Sequence, residues 1–191
     1  NVGNMNPAPA SFNWTVDTIA PTTIINSTID GNNSTITNSS STKSNAVMFE
    51  FSGNDTGGVG IDHLECSLDG TSFSACTSPV QFTSANLLDG THSFMVIAQD
   101  KVGNMMTTPV LFNWTVDTLP PTTAINTAID GNNGTLVSGN STMSTSMSFT
   151  FSGNDRGLED KGVGIKQIEC SIDNSNFTAC VSPVEITPNI L

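Results

Sequence analysis

The chain has 191 residues, enough for one large domain or two of about 100. It carries 17 Asp and Glu against 5 Lys and Arg, a formal charge of −12. Nucleic acid and anionic membrane both attract basic patches, so this balance argues against either as a partner and suits cation binding or an acidic solvated surface.

Ser, Thr and Asn abound, charged residues are few and Tyr is absent, so neutral hydrogen-bonding groups carry solubility, as in many secreted surface proteins. No apolar run approaches the roughly 18 residues that a membrane helix needs, and no signal peptide is visible. The chain opens at Asn1 inside a motif that recurs complete further on, which reads as a mature or excised part of something longer.

That motif is Phe12-Asn13-Trp14-Thr15-Val16-Asp17-Thr18, repeated without change as Phe112-Asn113-Trp114-Thr115-Val116-Asp117-Thr118. Phe, Trp and Val alternate with Asn and Thr, the period of a half-buried strand. Pro-Thr-Thr follows each copy, at Pro21 and Pro121. The offset of 100 persists through Ile29-Asp30-Gly31-Asn32-Asn33 and Phe49-Glu50-Phe51-Ser52-Gly53-Asn54-Asp55. An insertion around Leu158–Lys161 then shifts it to 104, which Gly58-Val59-Gly60-Ile61, Cys66 and Cys76 obey against Gly162-Val163-Gly164-Ile165, Cys170 and Cys180. The repeat is long enough to be a domain.

In chain order, strands are predicted at Pro21–Ile25, Ala46–Phe51 and Ile61–Leu68, then, after the Asp69-Gly70 turn, at Ser72–Cys76. Val80–Phe82, His92–Ala98 and Pro109–Val116 complete the set, and residues 32–45 read as a polar surface loop with Ile36 pinning a short strand. No stretch shows a helical period. Seven short strands in about 100 residues indicate an antiparallel β-sandwich of immunoglobulin type. The division is 1–18, the final strand of a preceding or partner module; 19–118, a full module; and 119–191, a second module incomplete at its C-terminal end, since Leu191 aligns with Leu87. Continuation of the chain accounts for the missing strands; completion by a strand of a neighbouring copy is the alternative.

Glu65-Cys66-Ser67-Leu68-Asp69-Gly70…Phe73…Cys76…Ser78-Pro79, followed by Asp89-Gly90-Thr91-His92-Ser93-Phe94, resembles the tandem bacterial and archaeal Ig-like domains of large repetitive cell-surface proteins. The second copy, Glu169-Cys170-Ser171-Ile172-Asp173…Phe177…Cys180…Ser182-Pro183, fits, with Asn174 in place of the turn glycine. The resemblance covers essentially the whole chain and implies a structural or adhesive extracellular role with no catalytic residues. The expected function is a fibre, filament, stalk or surface-layer element built from tandem modules, partnered by itself. An adhesin module for a sugar or protein ligand on a cell surface, or a spacer in a secreted enzyme, are the alternatives.

Four cysteines, two per repeat and each pair ten apart, suggest Cys66–Cys76 and Cys170–Cys180 disulfides; buried free thiols are the alternative. Zinc is disfavoured, with only His63 and His92 to join them and no C-x-x-C. Ten Asn-x-Ser/Thr sequons are glycan candidates: Asn13, Asn26, Asn32, Asn33, Asn38, Asn54, Asn113, Asn133, Asn140 and Asn176. Alternation with Phe and Trp directs Asn13 and Asn113 to solvent. At one pole of such a sandwich Asp17, Asp55 and Asp100 are expected to converge as hard oxygen ligands for Ca²⁺, with Asp117 and Asp155, and Glu159 and Asp160 from the insertion, repeating the arrangement. Capping of turns by Asp is the competing account. Gly57-Gly58-Val59-Gly60 leads into a strand, so it reads as a turn and not a phosphate cradle. His63 becomes Gln167, no nucleophile signature accompanies the Ser, His and Asp present, and Met95, Ile97, Met105 and Met106 are read either as outward apolar residues of a packing surface or as residues buried by a neighbouring strand.

Overall fold

The computed structural model describes residues 2, 3, 5, 8–156 and 162–188, and these are all-β: thirteen strands and no helix. β1 (Thr22–Asp30), β2 (Ser40–Thr42), β3 (Val47–Asn54), β4 (Ile61–Leu68), β5 (Ser74–Cys76), β6 (Val80–Phe82), β7 (Gly90–Asp100) and β8 (Val110–Val116) form the first set. They make two sheets, ordered β1-β3-β6 and β2-β8-β7-β4-β5, whose inner faces close into a sandwich. The second set repeats part of this. β9 (Thr122–Asp130), β10 (Met147–Asn154) and β13 (Val184–Ile186) form one sheet, and β11 (Ile168–Cys170) pairs with β12 (Thr178–Cys180).

Alternation decides which side chains enter the core. Val47, Phe49 and Phe51 of β3 point inward, and Phe94, Val96 and Ala98 of β7 with Phe112, Trp114 and Val116 of β8 meet them from the other sheet. Phe49 is the hub. Its ring lies 4.3 Å from that of Phe94, 5.4 Å from Phe112 and 5.3 Å from Trp114. The four rings come from three strands, β3 in one sheet and β7 and β8 in the other, so their burial joins the layers.

β1 runs further than the apolar pattern indicates. A register shift between Ile25 and Ser27 leaves Asn26 unpaired, and the inward parity changes there from Thr23 and Ile25 to Thr28 and Asp30. β9 carries the same irregularity at Asn126, where Thr127 and Ile125 pair with consecutive residues Thr150 and Phe151. Within the stretch 32–45, Ile36 is buried as expected, and Ser40–Thr42 adds a short strand parallel to β8. Of the two readings of Ile97, burial is the one observed. Ile97 sits on the outward side of β7 yet is buried, whereas Met105 is exposed.

Both disulfides form, Cys66–Cys76 and Cys170–Cys180, each with Cα atoms 5.8 Å apart. Each ties two adjacent strands of one sheet, β4 to β5 and β11 to β12. They therefore staple a hairpin and leave the joining of the sheets to the aromatic core.

In the second set Phe149 and Phe151 occupy the register of Phe49 and Phe51 but are only half-buried, because no strand covers them among the described residues. Phe49→Ala is expected to cost about 3–5 kcal/mol in urea unfolding of the first sandwich. Phe149→Ala should cost less than half as much; equal losses would mean that the second core is as closed as the first.

Candidate metal centre at the module junction

Three carboxylates from three loops meet where the chain enters the first sandwich. Asp17 follows the Phe-Asn-Trp-Thr-Val stretch, Asp55 follows β3, and Asp100 ends β7. One oxygen of each lies within 4.8 Å of the others. These are the residues that the sequence places together.

Local hydrogen bonds aim each of them. Asp17 accepts from the Ile19 amide at 3.0 Å and, across the junction, from the Val59 amide at 2.8 Å. Its backbone carbonyl accepts from Asn104 Nδ2 at 3.1 Å. Asp55 accepts from the Gly60 amide at 2.6 Å. Asp100, almost fully buried, accepts from the amides of Val102 (2.9 Å) and Asn104 (2.8 Å) and from Asn104 Nδ2 (2.7 Å). The turn-capping account thus holds for every member, and it coexists with convergence. A carboxylate oxygen that takes one N–H keeps a second lone pair, so the donor set still fits a hard cation completed by water or backbone oxygen.

Gly58 lets the cluster close. A Cβ there would collide with both carboxylate oxygens of Asp55 and, at 2.5 Å, with Asp17 Oδ2. The glycine-rich stretch is therefore a close-approach loop that carries amides to carboxylates.

The second junction repeats one contact of the first, the bond from the loop valine to the exit aspartate. Asp117 is buried and accepts from the Leu119 amide at 3.3 Å and from the Val163 amide at 2.9 Å. Asp155 is half-buried at the position equivalent to Asp55, while Glu159 and Asp160 lie outside the described residues.

Sequence reasoning missed a second acidic staple. Asp30 is buried at the end of β1, accepting from the amides of Asn32 and Ser34, both at 2.9 Å, and from the Thr42 hydroxyl at 2.6 Å. Asp130 does the same with Asn132, Gly134 and Thr142. The signal was present in the repeated Ile-Asp-Gly-Asn-Asn. Gly31 belongs to it, since a Cβ there would meet Ser44 Oγ at 2.7 Å and Ala46 Cβ at 2.9 Å.

Nine of the ten sequon asparagines are exposed. Asn113 keeps the outward parity between buried Phe112 and Trp114 and is half-buried, and its backbone amide donates to Asn38 Oδ1 at 2.7 Å. His63 contacts Asp62 at 2.7 Å and Glu65 at 3.4 Å, while Gln167 takes its place against Glu169 at 2.5 Å. His92 is buried, bonded to Asp69 and to the Leu88 carbonyl at 2.7 Å each, and packs on Trp114. Both histidines serve as lateral ties.

No protein-family model matches the chain, and no curated protein matches it in sequence. Among solved structures it is similar to the extracellular domain of a one-component system from B. thetaiotaomicron, at 15% identity and a TM-score of 0.36. That alignment covers 51% of this chain and 15% of the other, too slight a likeness to assign a fold or a role.

Charge state follows from these contacts. Burial alone would push the carboxyls of Asp30 and Asp100 up; hydrogen bonds from Thr42, Ser34 and Asn32 to Asp30, helped by Lys43, and from Asn104, Val102 and Gly103 to Asp100 hold both below the ordinary range. The Thr142 hydroxyl and the Gly134 amide hold Asp130 down likewise. A carboxyl lowered by folding contributes stability that is present above its unfolded value of about 3.9 and is lost as pH falls through the folded value. His63 is raised, chiefly by Asp62, and has the opposite sign: its contribution is complete below about pH 6.5 and is lost as pH rises through the folded value. The thermal midpoint is expected to hold down to about pH 5 and to fall progressively below about pH 4. The fall should be shallower in Asp30→Asn; an identical profile in that variant would contradict the assignment.

Proposed function

We propose that the chain is a segment of an extracellular rod, stalk or surface-layer element built from tandem immunoglobulin-like modules, with a mechanical and non-catalytic role. The observation that carries this reading is the recurrence of one junction contact. Asp17–Val59 and Asp117–Val163 are equivalent hydrogen bonds, made by the two copies of the Phe-Asn-Trp-Thr-Val-Asp segment onto the two copies of the Gly-Val-Gly loop. A repeated fold alone could serve many purposes; a repeated junction contact bears on how one module follows another.

Other features support it. The sheet orders fit the immunoglobulin arrangement, with β1, β3 and β6 on one side and β8, β7, β4 and β5 on the other. The bridge lies within one sheet and the tryptophan on the last strand, unlike antibody domains, so the likeness is to the architecture. Two disulfides suit an oxidising compartment, and exposed sequons with a neutral-polar surface suit a glycosylated exterior. Electron microscopy of native surface material, labelled with antibody to residues 22–116, should show elongated beaded structures. Label confined to isolated compact particles would sink the reading.

Ca²⁺ at the Asp17, Asp55 and Asp100 cluster would stiffen the joint by neutralising three converging carboxylates, and Asp117 with Asp155 would do so at the next. Extracellular modules bind Ca²⁺ with dissociation constants of about 10⁻⁴–10⁻³ M. At ~5 mM Ca²⁺ the folded state should therefore gain roughly 1–2 kcal/mol, read as a higher melting midpoint that a chelator reverses. Asp17→Asn and Gly58→Ala should abolish the gain. An unchanged midpoint together with no metal in native mass spectra would exclude calcium here.

A further inference from the structure

The turn that leaves β1 and the backbone that runs through β2 enclose an open cavity of about 330 Å³ on the flank of the first sandwich. Its frame is the Asp30 staple, in which the carboxylate accepts from the Asn32 and Ser34 amides and from the Thr42 hydroxyl. Around that frame stand polar groups with no structural task. The hydroxyls of Ser34, Thr35, Thr37 and Ser41 and the ammonium of Lys43 belong to residues that line the cavity. None of these five groups has a hydrogen-bond or ion-pair partner among the described residues. Ile36, buried in the core, adds an apolar side chain to the lining.

The second repeat separates the frame from the lining. Asp130, Thr142 and Ser144 stand where Asp30, Thr42 and Ser44 do and make the same bonds: hydroxyl to carboxylate at 2.6 Å, and serine amide to threonine hydroxyl at 3.0 Å. Yet Gly134, Val137 and Met143 replace Ser34, Thr37 and Lys43. The staple forms without those three polar side chains, so the fold does not require them. Lys43 stands out for a second reason. It is the first Lys or Arg of the chain, the next being Lys101, and it makes no ion pair although acidic residues outnumber basic ones 17 to 5.

We propose that this cavity binds a hexuronic acid, a carboxylated sugar, with the carboxylate on Lys43 and the ring hydroxyls on Ser34, Thr35, Thr37 and Ser41. Its volume lies near the lower end of small-ligand sites, about 300 Å³, which suits a single ring. Side-chain hydroxyls both donate and accept, as the diols of a sugar do, and Ile36 offers an apolar contact to the C–H face. Charge decides the anion. One ammonium matches one carboxylate, whereas a dianionic phosphate would have a single cation to offset both its own charge and the nearby Asp30 carboxylate. The net charge of −12 disfavours anions at long range, but salt at 0.15 M screens it beyond about 8 Å. The site lies apart from the junction carboxylates and neither requires nor excludes a load-bearing role.

Two-dimensional amide NMR of the full 191-residue chain, in salt of about 0.15 M, tests it with three probes: sodium glucuronate, glucose and sodium acetate. Glucuronate should shift the amides of residues 34–43 saturably and bind at least about tenfold more tightly than glucose, which lacks the carboxylate, or acetate, which lacks the hydroxyls. Lys43→Met and Thr37→Val install the residues that the second repeat carries beside an intact staple, so both variants are compatible with the fold. Lys43→Met should weaken glucuronate binding about tenfold or more, and Thr37→Val by a smaller factor, with the spectrum outside the cavity unchanged. Absence of a saturable shift, an equal response to glucose or acetate, or undiminished binding in Lys43→Met would overturn the proposal. Each of those results leaves the reading of the chain as a tandem-module rod where it stands.

Discussion

Burial of Phe49 between two sheets is the constraint on which the first sandwich depends. Its ring touches strands that lie far apart in sequence, and neither sheet can move without opening that contact. Large buried aromatics contribute most per residue to such a core, and with few charges and short strands this chain has little else to hold its layers together. The disulfide does not substitute for it, because Cys66 and Cys76 lie on neighbouring strands of one sheet.

What the core frees, the loops use. With the layers fixed by apolar packing, acidic side chains are available to organise the ends of strands. Asp30 and Asp130 gather amides and a threonine hydroxyl, Asp100 gathers its own turn, and Asp17 and Asp117 reach into the next loop. Each carboxylate is satisfied by neutral donors, which is consistent with a surface of few cations. Loss of stability in acid is the expected consequence, since protons displace these donors from the same oxygens.

Much of this was legible in the residues. All seven strands expected in the first repeat occur, because inward Phe, Val, Leu and Trp alternate cleanly along them. The convergence of Asp17, Asp55 and Asp100 followed from assigning their strands to one pole. β1 was read short because its second half buries Thr28 and Asp30 past the Asn26 irregularity, so no apolar period marks it. β2 was hidden in a serine-rich stretch, where backbone pairing with β8 and the Thr42–Asp30 bond replace side-chain hydrophobicity. Alternation placed Asn113 on the outward face but does not report that β8 has strands on both sides. Patterns of period two identify faces of a sheet and are blind to its lateral order.

If the proposed mechanical role holds, the aromatic core is the part of the first sandwich that yields under force, with the disulfide shortening the extensible chain. Single-molecule stretching of the 191-residue chain measures this directly. The account predicts one discrete unfolding event for the first sandwich, whose released length increases on reduction as the segment between Cys66 and Cys76 becomes extensible. Featureless extension without such an event, or a released length indifferent to reduction, would contradict it.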